Sequence, residues 1–168
     1  WGKNADAAAA KAFQAEGSLH AWRGAGLSLE SEVALTYFSA LACKENLAVY
    51  DSMLGNARQV LSYLEKRERL GAASPLDVAR QRSSVQSMEA ERAAYELKLQ
   101  EATNSLCLLL GATSLPAEAA SLMEKETMRD LLPPAIREGL PSELLARRPV
   151  IAEAEASLKA ANANIGVA

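Results

Sequence analysis

Two cysteines, Cys43 and Cys107, and one histidine, His20, are the whole stock of thiol and imidazole chemistry in this chain of 168 residues. Zinc-type sites need several such ligands held in short register, and these three residues have no such spacing. No metal site and no cofactor are therefore expected. Catalysis finds no better footing. There is no nucleophile elbow and no phosphate loop, and the carboxylates are scattered along what read as helix faces. His20 reads as an incidental solvated residue, so no catalytic or cofactor-binding residue is assigned and the chain does not read as an enzyme. The mixed-sign run Glu65-Lys66-Arg67-Glu68-Arg69 reads as an exposed helix end laced by i,i+4 pairs, with a specific docking role as the alternative. The net charge is −3 and no basic stripe interleaves with aromatics, so nucleic acid is not an expected partner.

The elements that carry these residues announce themselves by period. Aromatics make up 5% of the chain while Ala, Leu, Glu, Lys and Arg dominate, which favours long helices over a thick core. Val33, Ala40, Leu47, Leu54 and Leu61 recur every seven residues, and Thr36, Cys43, Tyr50, Ala57 and Leu64 follow three behind. That 3–4 beat is the mark of a coiled-coil helix. The same frame extends back through Ala5, Ala8, Ala12, Ala15, Leu19, Trp22 and Leu29, and a further row, Leu27, Ala34, Leu41 and Ala48, widens the apolar face. A first helix from Asn4 to about Leu70 is expected, with a bend or frayed stretch at Gly17, Gly24 and Gly26, each costing ~1 kcal/mol relative to Ala.

Gly71 can take the left-handed conformation that closes a helix. Ser74-Pro75-Leu76-Asp77 reads as a new start, with Ser74 as N-cap, Pro75 first in the helix and Asp77 near the positive dipole end. So short a linker folds the second helix back antiparallel. It keeps the beat with Val78, Val85, Leu99 and Leu106 on one row and Met88, Tyr95, Ala102 and Leu109 on the other; Arg92 interrupts the first, and Gly111 ends the helix. Pro116, Pro133, Pro134 and Pro141 limit the next segment to short helical turns or a short extended stretch. After Ser142 a brief helix should break at Arg148-Pro149, where Pro149 opens a last helix on Ile151, Ala154, Leu158, Ala161 and Ile165. The expected fold is all-α: a long antiparallel coiled-coil hairpin (1–111, tip near 70–77), a proline-rich elbow (112–141) and a short returning helix (142–168). If the turn centres near Ala73, Cys43 faces about residue 103. Cys107 is then one turn away, across axes ~8–10 Å apart, whereas a disulfide needs Cα atoms within ~7 Å. No bridge between them is expected.

Several phrases together resemble the TolC-like outer-membrane factor family, in its lipoprotein branch that serves resistance-nodulation-division (RND) pumps. Trp1-Gly2-Lys3 resembles the end of a barrel strand leading into the long helix. Glu32-Val33-Ala34-Leu35-Thr36-Tyr37-Phe38 resembles the "evA-x-x-Y" stretch, and Leu70-Gly71-Ala72-Ala73-Ser74-Pro75-Leu76-Asp77-Val78 the periplasmic tip. Asn104-Ser105-Leu106-Cys107-Leu108-Leu109-Leu110-Gly111 is similar to the "NaLalLLG" ending. Gly139-Leu140-Pro141-Ser142-Glu143-Leu144-Leu145, Arg147-Arg148-Pro149 and Ala160-Ala161-Asn162-Ala163-Asn164-Ile165-Gly166 match the run that follows.

The resemblance implies the first of two repeats, with the barrel strands and second hairpin absent from this piece; a chain that opens at Trp1 and stops in mid-phrase at Ala168 is expected to be a fragment. It further implies a periplasmic α-helical tunnel segment of a homotrimeric outer-membrane efflux channel, a passive exit duct for drugs or metals. The implied partners are a periplasmic adaptor (membrane fusion) protein and an inner-membrane RND transporter. The tip residues Leu70, Gly71, Ala72, Ser74, Pro75, Leu76 and Asp77 are the implied adaptor-docking surface. The rival is a structural or interaction coiled coil such as a periplasmic adaptor hairpin, which would be flanked by β sequence instead of the elbow. No apolar run is long enough to span a bilayer as a helix.

Overall fold

The computed structural model describes residues 2–129, 131–135, 145 and 147–167. Among them stand four helices and no strand: α1 (Lys3–Arg69), α2 (Pro75–Leu109), α3 (Ala117–Lys125) and α4 (Pro149–Ile165). The brief helix expected after Ser142 lies largely outside the described residues, as does most of the Gly139–Leu145 phrase. The chain divides into two compact units, Val33–Leu132 and Trp1–Glu32 with Pro133–Ala168.

In the unit Val33–Leu132, α1 and α2 form the expected antiparallel hairpin, and both seams fall where the heptads put them. Leu54, Ala57 and Val85 are buried together with Leu61 and Met88 against them. Nearer the hairpin's base, Ala40, Leu106 and Met123 form a second cluster walled by Val33, Tyr37, Leu99, Ala102 and Leu115. Met123 comes from α3, so a nine-residue helix, longer than the turns expected of the proline-rich stretch, buries one side chain against the hairpin. Both hairpin helices end in the same way. At Gly71 (φ +73°) the amide donates to the Glu68 carbonyl and the Ala72 amide to that of Arg67. At Gly111 (φ +66°) the pair is Gly111 to Leu108 and Ala112 to Cys107. These are Schellman closures, which satisfy carbonyls that a helix end otherwise leaves to water.

In the other unit α4 runs antiparallel to the start of α1, and here the sequence expectation needs correction. Gly17, Gly24 and Gly26 neither fray nor break α1, which is helical throughout Lys3–Arg69. Two of them are where α4 comes close. A Cβ on Gly17 would sit 3.6 Å from Cβ of Ala156, and one on Gly24 3.8 Å from Cβ of Pro149. The buried positions are small: Ala10, Gly17, Ala156 and Ala160. The backward extension of the seam, Ala5, Ala8, Ala12, Ala15, Leu19, Trp22 and Leu29, is exposed instead. Leu27, Ala34 and Ala48 of the widening row are exposed too, while Leu41 is fully buried. On α4, Ala154, Leu158, Ala161 and Ile165 point outward. The reason is steric: the smallest face admits the closest backbone approach, so α4 takes the glycine and alanine face and leaves the bulkier apolar one uncovered.

Candidate functional site

The seven tip residues singled out in the sequence lie in one connection, and each has a local cause. Leu70 follows the last residue of α1, Gly71 adopts the left-handed closure, and Ser74 caps α2 by accepting from the Leu76 amide at 3.2 Å. Pro75 opens α2, where its missing N–H costs nothing, and Asp77 stands in the first turn. The result is a tip that shows two bare leucines: Leu70 is 82% exposed and Leu76 56%. A Cβ on Gly71 would meet nothing within 4 Å, so the turn is open on its outer side.

Above the tip the hairpin is tied by charges that the sequence reading missed. Asp51, Arg58 and Glu65 stand seven residues apart on α1. Asp51 receives Arg92 at 2.6 Å, Arg58 reaches Glu89 at 2.6 Å, and Glu65 receives Arg82 at 2.9 Å. Arg92, the residue that interrupts a seam of α2, also donates to Glu96 at 3.0 Å. The Asp51 carboxylate, first by hydrogen bond and then by charge, pushes the Arg92 guanidinium above its ordinary range. Tyr50 donates to Glu91 at 2.7 Å, which raises its phenol, and packs on Tyr95 with ring centroids 5.3 Å apart. The heptad spacing of three charged residues flanking the seam was the signal available for this ladder.

A second polar group, also missed, holds α3 down. Lys44 donates to the carbonyls of Met123 and Glu124, the latter at 3.0 Å, so a cation caps the C-terminal end of α3. Tyr37 donates to Glu126 at 2.6 Å, and Glu45 accepts from the Met128 amide at 2.6 Å. Burial first, and the Glu126 carboxylate second, push the Tyr37 phenol up to about 12.

In the unit that holds α4, His20 lies 3.9 Å from Glu16 on its own helix. Lys159 and Glu155 pair at 2.8 Å, which lowers the Glu155 carboxyl and raises the Lys159 amine. The groove there, about 290 Å³, is lined by Gln14, Gly17, Ser18, Ala21, Glu153 and Ser157, and the Ser18 hydroxyl donates to the Gln14 carbonyl at 3.0 Å. Both cysteines are free thiols, Cys43 buried and Cys107 partly so. Among the described residues no group of three or more His, Cys, Asp or Glu could hold a metal, and no helix is long and apolar enough to cross a membrane.

The chain belongs to the outer membrane efflux proteins, whose family model matches residues 1–112. It is similar to the pyoverdine export outer membrane protein OpmQ of Pseudomonas putida, with 42% identity over 144 residues, 84% of this chain and 29% of that protein. To the cation efflux system protein CusC of Escherichia coli it is 34% identical over 148 residues, 88% of this chain and 31% of that one. A crystal structure of a membrane protein from Pseudomonas aeruginosa superposes with a TM-score of 0.88 at 32% identity, covering 99% of this chain and 38% of that one. Crystal structures of CusC give 0.80 at 28% identity over the same shares. The chain thus spans about 30% of the length of the curated relatives it matches.

Proposed function

We propose that this chain is a wall segment of the periplasmic helical conduit of an outer-membrane efflux channel, the passive exit duct of a tripartite drug or metal pump. The observation that carries this is a second seam on α1. Leu35, Ala42, Val49, Asn56 and Tyr63 recur every seven residues, with Ser39, Asn46, Met53, Val60 and Arg67 four behind. Its large apolar members are bare: Leu35 is 66% exposed, Val49 55% and Tyr63 58%. At 100° per residue this stripe lies roughly 110° round the helix from the seam that α2 covers. A helix with two coiled-coil seams, one of them bare, is built to stand between neighbours, and a tube wall supplies the second neighbour. The family match supports a channel over an adaptor hairpin.

The intact protein is, in this proposal, a homotrimer and a lipoprotein of the outer membrane. Its barrel and second repeat lie outside the sequence described, and residues 112–141 form the elbow between hairpin and returning helix. Its partners are a periplasmic adaptor and an inner-membrane RND transporter, which provides the energy, so the chain performs no catalysis. The tip Leu70–Asp77 is the adaptor-docking surface, being the far end of the hairpin and open around Gly71. Gly71→Trp in the full-length protein tests this. Efflux should be lost, read as drug or metal susceptibility, while the amount of trimer in the outer membrane stays at the wild-type level. Leu54→Asp, inside the covered seam, should instead lower the amount of trimer. Wild-type susceptibility with Gly71→Trp would move the adaptor contact away from the tip.

A further inference from the structure

The charges at the tip are unbalanced. Residues 65–82 hold five cations (Lys66, Arg67, Arg69, Arg80 and Arg82) against three carboxylates (Glu65, Glu68 and Asp77), a net +2 in a chain of net −3. Glu65 is taken by Arg82. Arg67 lies over the Tyr63 ring at 5.8 Å, and Arg69 donates to the Glu65 carbonyl of its own helix at 3.3 Å. Lys66 and Arg80 have no carboxylate partner among the described residues. Lys66, Arg67 and Arg69 complement the negative end of the α1 dipole. Arg80, in the second turn of α2, has no such role, since a cation there opposes the dipole of its own helix. Between these cations project Leu70 and Leu76, the two bare side chains of the turn.

We infer that the protein surface docked at this tip is net acidic and carries an apolar socket for Leu70 and Leu76; the inference rests on the tip being the docking end, as proposed above. Charge complementarity steers the encounter and fixes register, while the leucines supply the buried contact. Unpaired cations beside bare leucines would repel a basic partner surface at the range where docking begins and would gain no steering from a neutral one.

The test uses the full-length channel in cells, with a benzophenone amino acid at Ala72, an exposed position of the turn, followed by photocrosslinking and sequencing of the captured partner peptide. The expected adduct is a protein peptide with more Asp and Glu than Lys and Arg. The expected effect of Arg69→Glu with Arg80→Glu is a tenfold or greater loss of that adduct at unchanged trimer level, with Lys98→Glu, away from the tip, leaving it intact. A protein adduct whose peptide is neutral or basic, or one whose yield survives the double reversal, overturns the acidic partner and leaves tip docking standing. Absence of any protein adduct at Ala72, including an adduct with lipid alone, overturns tip docking and this inference with it.

Discussion

Replacing Lys44 by Met keeps the aliphatic stem and removes the ammonium that holds the end of α3. With nine residues, α3 is too short to be stable by itself, so its population depends on what ties it to the hairpin. Four ties are in place: the buried Met123, the Tyr37–Glu126 hydrogen bond, the Glu45–Met128 hydrogen bond and the Lys44 cap. A hydrogen bond to a charged group contributes about 1.5–3 kcal/mol when buried, and cation–dipole attraction a further 0.3–1. One of the two carbonyl contacts of Lys44 is exposed, so a loss of about 2 kcal/mol is expected. That corresponds to a roughly 30-fold rise in the open population of α3. Hydrogen–deuterium exchange of the full-length protein should therefore show amides of Ala117–Lys125 losing about 10- to 50-fold in protection, with Tyr50–Leu61 of α1 unchanged. Lys98→Met is the control for lost surface charge. A change below about threefold in α3 would mean the cap contributes little and that Met123 with the Tyr37 and Glu45 hydrogen bonds seats the helix.

Three other outcomes follow from the same structure. Tyr37 is neutral in the fold with its phenol raised from 10.0 to about 12, so its contribution is complete below pH 10 and fades as pH rises from 10 to 12; with partial exposure discounted this is on the order of 1 kcal/mol. Protection of α3 should drop across that window in the wild type and not in Tyr37→Phe. Gly17→Ala should stabilise α1 by about 0.5–1 kcal/mol, because the new methyl meets Ala156 at an ordinary 3.6 Å, whereas Gly17→Leu should cost about 1–3 kcal/mol by overpacking; exchange protection of α4 reads both. Non-reducing mass spectrometry of the monomer should find Cys43 and Cys107 unlinked, and a joined pair would show that the hairpin register differs from the one described.

The hairpin was legible because its signals are local and repeated. Val78, Val85, Leu99 and Leu106 recur at multiples of seven, and Gly71, Ser74 and Pro75 mark the turn with residues whose backbone preferences leave few alternatives. The face that α4 covers was not legible. Glycine in a helix carries a propensity cost that can be read from the chain, but the compensating contact at Gly17 comes from Ala156, which no local pattern announces. Lys44 and Glu45 were invisible for the same reason, since their partners at Met123, Glu124 and Met128 are distant in sequence. The hint was their type: two charged residues directly after the buried Leu41 and Cys43.

The turn at Gly71 is self-contained, closed by its own backbone on one side and by Ser74 on the other, and the seam above it repeats without variation in phase. Reach is therefore adjustable in discrete steps. Adding seven residues to α1 and seven to α2 at matching heights would move the tip about 10 Å further out and return every seam position to its partner. Adding four would turn the tip by roughly 40° and carry Leu70 and Leu76 off to one side. Hairpins of this build should accordingly differ between relatives by whole heptads, and lineages that must bridge a wider gap have a route to do so that leaves the docking end untouched.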